Sequence, residues 1–394
     1  MKALVLITAD KTAVVKNVPV PVLAANEILV KVHAVALNPV DAAWVMSPIA
    51  AQAERIVGID FAGEVVEVPE SLRGSSSDPR LKVGARVAGF VQGACSTNDR
   101  LGAFAEYTHP EWDLVWLIPD SMSYEGASTI TACGLTAAQC LSYHLGVPSP
   151  FWPSTSSAAG DGPLTIFLYG ASTSLGLFAA QLAHLAASTS GRAVKLVGTA
   201  SKARHEMLKK APYSYDALVD YHEADWPEQV RQLTGGGGVD FAVDCVTEPE
   251  TIIKTESVLK RTGQFVIVRN PSMIGFSMDD VEIKPICNSV FECLGHALYF
   301  GSLEFPANPD ARKFAAQVYS YWTREALAGK TPIEPNPVRL MPGGLERIVP
   351  DAFPLLSSGV MASSFPDGKS KQGGEGTEEH LKPIAGEKLV YTIT

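Results

Sequence analysis

Between residues 164 and 268 the chain repeats one unit: a short apolar run, a turn, then a stretch with helical spacing. The runs "LTIFLYG", "AVKLVGTA", "DALVDY", "VDFAVDCV" and "GQFVIV" alternate with "LGLFAAQLAHLAA", "KARHEMLKK", "WPEQVRQLT" and "ETIIKTESVLK". Strands alternating with amphipathic helices pair in parallel, because a parallel crossover needs a connection of helix length. The pattern therefore predicts a doubly wound parallel α/β sheet over about 134 to 300.

Before about residue 130 the pattern differs. Short runs such as "EILVKVHAVAL", "DFAGEVVEV" and "RVAGFV", cut by Gly and Pro, predict a β-rich, barrel-like domain. Two segments fit neither pattern. "GVPSPFWPSTSSAAGDGP" (146 to 163) reads as an inserted loop, and "SSFPDGKSKQGGEGTEEHLKP" (363 to 383) as a polar excursion before a closing strand "EKLVYTIT". Beyond the strand–helix alternation, no internal sequence repeat is visible.

A chain of 394 residues is long enough for two domains. A net charge of −10 argues against nucleic acid, whose phosphates need a basic face, and weakly against anionic membranes. The six cysteines, Cys95, Cys133, Cys140, Cys245, Cys287 and Cys293, form no Cys-x-x-Cys pair, and several sit in apolar runs, which suits a reducing compartment. The opening "MKALVLITADKTAVV" is too short an apolar run for a signal peptide, and no stretch reaches the roughly 20 apolar residues of a membrane span. A cytoplasmic protein is expected.

The turn after the first strand of the alternating region reads Gly170-Ala-Ser-Thr-Ser-Leu-Gly176 and lacks the middle glycine of G-x-G-x-x-G. Its context points to a pyrophosphate site: it follows a strand and opens a helix whose N-terminal amides and dipole favour an anion. Ser172, Thr173 and Ser174 offer hydroxyls where other such turns offer bare amides. An ordinary Ser/Thr N-cap is the other reading of the turn taken alone. The second strand ends "VGTASKARHE", with no acid to hold a ribose but with Ser201, Lys202 and Arg204, which suit a ribose phosphate and so favour NADPH over NADH. The dull alternative is a solvated helix start.

The succession "ALNPVDAAW", "GIDFAGEVVEV", "VGARVAGF", "GAFAEY", "GASTSLGLFAAQLA", "VGTASKAR" and "VDY" resembles the medium-chain dehydrogenase/reductase superfamily in its zinc-free, quinone oxidoreductase and enoyl reductase branch. Within it, "LNPVD", "YGAST", the Pro/Ser-rich insertion and "GEKLVY" are similar to the trans-acting enoyl reductases that serve fungal polyketide synthases and synthase–peptide synthetase hybrids. The resemblance implies a GroES-like catalytic domain over 1–133 and 301–394 and a Rossmann NADPH-binding domain over 134–300. It also implies hydride transfer from NADPH to the β-carbon of an α,β-unsaturated thioester held on a synthase carrier domain, then protonation of the α-carbon.

Zinc is not expected. Where the alcohol-dehydrogenase branch has a ligating Cys and His this chain has Asn38 and Ile59, and the four-cysteine structural loop is missing.

By the same resemblance, Val40, Asp41, Ala42 and Ala43 lie near the nicotinamide, and Ser172, Thr173, Ser174 and Leu175 on the pyrophosphate. Ser201, Lys202, Ala203, Arg204 and Tyr221 surround the adenosine phosphate, while Val268, Arg269, Ile384 and Ala385 complete the cofactor site. The acyl chain passes Thr136, Ala137, Ala138, Gln139, Cys140, Leu141, Ser142 and Tyr143, then Leu294, Gly295, His296, Ala297 and Leu298. Asp41 and Thr136 are the catalytic candidates.

Each has a plainer reading: Asp41 as a helix cap, Tyr221 as a strand-end aromatic, Thr136 as a capping hydroxyl, Cys133 as a packed thiol and His296 as structural. One departure matters. Related reductases can carry a Lys two residues beyond the Asp, and Ala43 stands there, so Thr136, a water or the ribose hydroxyl is left to stabilise the enolate. A free-standing quinone or enone reductase, a non-catalytic synthase partner and, least, a zinc alcohol dehydrogenase are the other readings. The basic run Lys202, Arg204, His205, Lys209 and Lys210 is a candidate face for an acidic carrier domain, and a monomer is expected.

Overall fold

The computed structural model describes all residues except Ala50, Ser75, Ser76, 154–161, 301–302, 358–377, Ala385 and Thr394. Ala385, 154–161 of the first inserted segment and 363–377 of the second lie outside the described residues. The chain divides into two compact units, Met1–Ala132 with Phe291–Thr394, and Cys133–Val290.

In the first unit the chain lays down β1 (Lys2–Ile7), β2 (Thr12–Asn17), β3 (Leu29–Ala36), α1 (Pro39–Met46), β4 (Glu54–Ile56) and β5 (Asp60–Glu67). It continues with α2 (Glu70–Arg73), β6 (Arg86–Phe90), β7 (Tyr107–Thr108), β8 (Val115–Leu117), α3 (Tyr124–Ser128) and α4 (Thr131–Ala138), whose last turns cross into the second unit.

The second unit holds β9 (Leu164–Tyr169), α5 (Ser174–Ser190), β10 (Val194–Thr199), α6 (His205–Leu208), β11 (Ala217–Val219) and α7 (Trp226–Leu233). It ends with β12 (Val239–Asp244), α8 (Pro249–Ser257), β13 (Leu259–Ile267) and β14 (Ile286–Cys287). The chain then returns to the first unit through β15 (Leu298–Phe300), β16 (Leu303–Phe305), α9 (Pro309–Leu327), β17 (Val338–Leu340) and β18 (Lys388–Thr392).

The first unit is built on a mixed sheet ordered β17-β18-β3-β5-β6-β8, with β7 also on β3, and a smaller sheet β2-β1-β4. Helix α9 covers it with one apolar stripe, Ala311, Phe314, Ala315, Val318, Tyr319 and Trp322, spaced by three or four residues so that they share a face. Trp322 meets Trp116 of β8 edge-on at 5.7 Å.

The second unit is a six-stranded, all-parallel sheet ordered β11-β10-β9-β12-β13-β14. This is the doubly wound order, reversing between β9 and β12. Its core joins Phe167, Trp226, Val230, Ile252 and Phe265, with Phe167 stacked on Trp226 at 5.6 Å.

Two local expectations change. "KARHEMLKK" does not make a full helix: a 3-10 turn over Lys202–Arg204 runs into the single turn of α6, and the Pro at 212 disfavours helical backbone just before it. "ETIIKTESVLK" ends as a helix at Ser257, because Val258 and Leu259 are buried and Leu259 pairs with Val239 as the start of β13. A larger correction concerns 291–300, read from the sequence with the nucleotide-binding half. Phe291 packs on Trp44 at 5.2 Å and on Phe90 at 5.3 Å, and these contacts place the segment in the first unit.

Candidate functional site

In the second unit the turn between β9 and α5 stands where the strand order reverses, the place at which open α/β sheets take ligands. Gly170 adopts φ +80°, a conformation that disfavours side chains, and a Cβ on Gly176 would lie 2.4 Å from the Gly170 carbonyl oxygen. Both glycines are thus required by the tightness of the turn. Thr199 of β10 braces it, its hydroxyl accepting the Gly170 N–H at 3.0 Å and its carbonyl the Ala171 N–H at 2.8 Å. Thr173 is the N-cap: its hydroxyl accepts the Gly176 N–H at 3.0 Å and donates to the Gly170 carbonyl at 2.8 Å. That hydroxyl is therefore committed to the turn. Ser172 and Ser174 are half-buried and Leu175 is buried at the head of the 17-residue helix.

Beyond β10, Ser201 and Arg204 are half-buried, and Lys202 and Ala203 are exposed. The Lys202 ammonium lies 2.7 Å from Glu223, both side chains being largely open to solvent. The end of the second strand carries no acid. The acids here come instead from the end of the third: Glu223, and Asp220, whose carboxyl accepts the His222 N–H at 3.0 Å and the His222 ring nitrogen at 2.7 Å. Those bonds, the backbone one first, hold the Asp220 carboxyl below the ordinary range. Tyr221 is exposed, with its ring 4.1 Å from that of His222. His205 is tied to the Ala200 carbonyl at 2.9 Å, while Lys209 and Lys210 are exposed.

At the ends of β12 and β13, the Val268 N–H donates to the Thr247 hydroxyl at 2.9 Å, and Arg269 pairs with Glu248. Asp244, which the sequence reading passed over, is buried and accepts from Thr247 N–H at 2.8 Å and Val246 N–H at 3.0 Å. Burial, only partly offset by the Thr251 hydroxyl bonded to its Oδ2 and by these backbone bonds, raises its carboxyl to about 6.

Of the run 136 to 143, Thr136 and Tyr143 are half-buried, whereas Ala137, Ala138, Gln139, Cys140, Leu141 and Ser142 are buried. Thr136 is the sixth residue of α4, not its cap, and 139–144 continue as a π-helical stretch. Cys140 is fully buried, and burial pushes its thiol well up, away from nucleophilic character. In the first unit Leu294 and Leu298 are buried, and His296 lies 3.0 Å from the buried carboxylate of Glu111. Ile384 is half-buried.

The remaining candidate residues lie at the start of α1, in the first unit. Asn38 is the N-cap, and its N–H donates to Asp41 Oδ2 at 2.7 Å. The Asn38 amide donates to Asp60 Oδ2 at 2.9 Å, and Asp60 is paired at 2.7 Å with Lys388 of β18, both side chains being buried. Ile59 is buried and apolar. This donor set does not fit zinc, and among the described residues no group of three or more His, Cys, Asp or Glu side chains is placed to hold a metal. Asp41 is buried beside Ala42, while Val40 and Ala43 are half-buried. Burial above all, reinforced by Asp60 and opposed by the Asn38 N–H and Lys388, raises the Asp41 carboxyl to about 8. Asp60 and Lys388 escaped the sequence reading. The available signal was a lysine at the same strand phase as the apolar Val390.

A β-rich unit and a doubly wound unit with a Gly-Ala-Ser-Thr-Ser-Leu-Gly turn in one chain define a class, the two-domain nicotinamide oxidoreductases. Comparison with known proteins gives the branch. The family model described as "Alcohol dehydrogenase GroES-like domain" matches residues 24–120, and that described as "Zinc-binding dehydrogenase" matches 174–300. "Trans-enoyl reductase caaB" of Aspergillus niger is 31% identical over 346 residues, covering 86% of this chain and 89% of the relative. "Trans-enoyl reductase thnE" of Trichoderma harzianum is 30% identical over 337 residues, covering 85% and 87%. The solved CurK enoyl reductase superposes with a TM-score of 0.69 at 17% identity, over 99% of both chains, and so shares the fold. The chain belongs to the medium-chain dehydrogenase/reductase superfamily, in the branch that holds the trans-enoyl reductases.

Proposed function

We propose that this protein is a cytoplasmic, zinc-independent, NADPH-dependent enoyl reductase that acts in trans on the α,β-double bond of acyl thioesters carried by a partner polyketide synthase or synthase–peptide synthetase hybrid. The observation that carries the reading is the similarity, over most of the chain, to relatives named trans-enoyl reductases. The turn before α5 fits a dinucleotide, because the two glycines leave the helix N-terminus open to a pyrophosphate at Ser172–Leu175. Lys202, with Ser201, Arg204 and Tyr221, suits the adenosine phosphate once its ammonium is released from Glu223. In this reading Val40–Ala43 serve the nicotinamide, and Val268, Arg269 and Ile384 are the further cofactor-site candidates.

When bound, the reduced nicotinamide supplies the hydride. The chain supplies position and electrostatics. In this reading the acyl chain runs along Thr136–Tyr143 and along Leu294–Leu298. Ala43 brings no ammonium, so in this reading Thr136, a water or the ribose hydroxyl stabilises the developing enolate, and Asp41 is the other catalytic candidate.

The test is NADPH oxidation by the purified protein with an α,β-unsaturated acyl-pantetheine thioester and, in parallel, a simple quinone. Turnover of the thioester alone is expected. Turnover of the quinone alone overturns the reading in favour of a free-standing quinone reductase, and tight NADPH binding without turnover of either favours a non-catalytic partner.

A further inference from the structure

Two carboxylates and one ammonium meet out of water at the base of α1. Asp60, fully buried at the start of β5, uses both oxygens: Oδ2 accepts from Lys388 Nζ at 2.7 Å and from the Asn38 amide at 2.9 Å, and Oδ1 accepts the Ala132 N–H at 2.8 Å. Lys388 is itself buried and gives a further hydrogen bond to the Thr129 carbonyl at 3.3 Å. Asp60 thus ties together the turn before α1, the start of α4 and the last strand. Asp41, three residues after Asn38, receives the Asn38 N–H on Oδ2, but its Oδ1 is buried without a hydrogen-bond partner among the described residues. An anionic oxygen buried without a donor is far costlier than a neutral O–H in the same place.

We propose that Lys388 and Asp60 are positioning residues: their buried ion pair fixes the Asn38–Asp41 turn and, by committing the ammonium to Asp60, keeps Asp41 a neutral carboxylic acid. The charged groups facing Asp41 are then Asp60 and Lys388, which act on it in opposite directions. Removing the Asp60 charge leaves the ammonium to favour Asp41 carboxylate, while removing the ammonium leaves the Asp60 charge to oppose it. A neutral Asp41 keeps negative charge away from the turn assigned above to the nicotinamide, and in that respect the inference rests on the proposed function. Its test does not.

Asp41 is titrated by carbon NMR of protein labelled at aspartate carboxyls, with its resonance identified by loss in Asp41→Asn. Neither substrate nor nicotinamide is needed. The wild-type midpoint is expected near neutral or above, shifted down at least tenfold in proton affinity by Asp60→Asn and up by Lys388→Met, with Lys388→Arg close to wild type. A purely structural pair would loosen the fold without moving the midpoint in opposite directions. A wild-type midpoint in the ordinary carboxylate range, or midpoints equal in both single variants, overturns the proposal.

Because either single variant leaves a buried charge alone, a second measurement is made on soluble protein that keeps the pair. A carboxyl raised from its ordinary 3.8 to about 8 binds its proton more tightly folded than unfolded, so it lowers stability as pH rises through that window. Wild-type Tm should therefore fall relative to that of Asp41→Asn between about pH 5 and about pH 8. Parallel curves overturn the proposal.

Discussion

Glu111 shows how a single buried charge is kept. Its carboxylate meets His296 at 3.0 Å, Arg100 at 3.3 Å and Arg312, which also holds Asp113 at 2.8 Å. Burial alone would raise this carboxyl, but the hydrogen bonds from His296 and Arg312 outweigh it and hold it at about 2. A depressed carboxylate stabilises the fold above its ordinary 4.5, and that contribution is lost as pH falls from there towards 2. Glu111→Gln should lower stability by about 2–3 kcal/mol near neutral pH and flatten the acid limb of Tm against pH. Equal acid limbs in variant and wild type would show that the cluster does not act through the Glu111 charge. His296 was legible in the sequence only as a structural or acyl-chain residue. Its partner lies 185 positions earlier in the chain, and no local pattern announces a pairing at that distance.

Among the elements, the second unit was the most legible because its signal is periodic: buried strands and amphipathic helices advertise themselves residue by residue. Periodicity misled only where another force intervened, at the Pro at 212 and at the buried pair Val258 and Leu259. The stretch 92 to 100 has no periodic signal: Gln52 donates to the carbonyls of Thr97 at 2.6 Å and Asn98 at 2.9 Å, the side chains of Gln92 and Asn98 bond each other, and Arg55 on β4 reaches four of its carbonyls. Arg55, buried, donates from Nε to the Gly93 carbonyl at 3.0 Å and from Nη1 to that of Ser96 at 2.6 Å, and its guanidinium also reaches the carbonyls of Asn98 and Arg100. A planar fork with five donors can satisfy a loop's carbonyls in this way, and a lysine cannot. Arg55→Met, which keeps the apolar stem, is expected to remove about 2–4 kcal/mol of stability. It should also speed tryptic cleavage after Arg100, a half-buried bond in the wild type. Unchanged cleavage would mean that the loop orders itself.

At the scale of the whole molecule, the alternating pattern and the family resemblance put the segment 291–300 with the nucleotide-binding half. Its side chains decide otherwise, since Phe291 buries itself on Trp44 and Phe90. The Lys388–Asp60 pair was equally hidden, its partners being brought together only when the last strand joins the sheet beside β3. Each unit has its own core, and the residues proposed to hold the dinucleotide phosphates all belong to the second. A ligand that binds only the folded state stabilises what it binds by RT ln(1 + [L]/Kd), about 2.7 kcal/mol at a hundredfold excess over Kd. Hydrogen exchange should therefore show amides of β9, β10 and β12 gaining protection when NADPH is added. The gain should be smaller with NADH at equal concentration if, as proposed, Lys202 and Arg204 receive the ribose phosphate that only NADPH carries. Lys202→Ala should remove about tenfold of NADPH affinity and little of NADH affinity, the amount expected of an exposed cation facing a phosphate. Glu223→Gln, which frees the Lys202 ammonium from its 2.7 Å partner, should shift the balance the other way. Equal protection by both nucleotides, unchanged in the two variants, would mean that the exposed cations after β10 are a solvated helix start and that the preference for NADPH does not arise there.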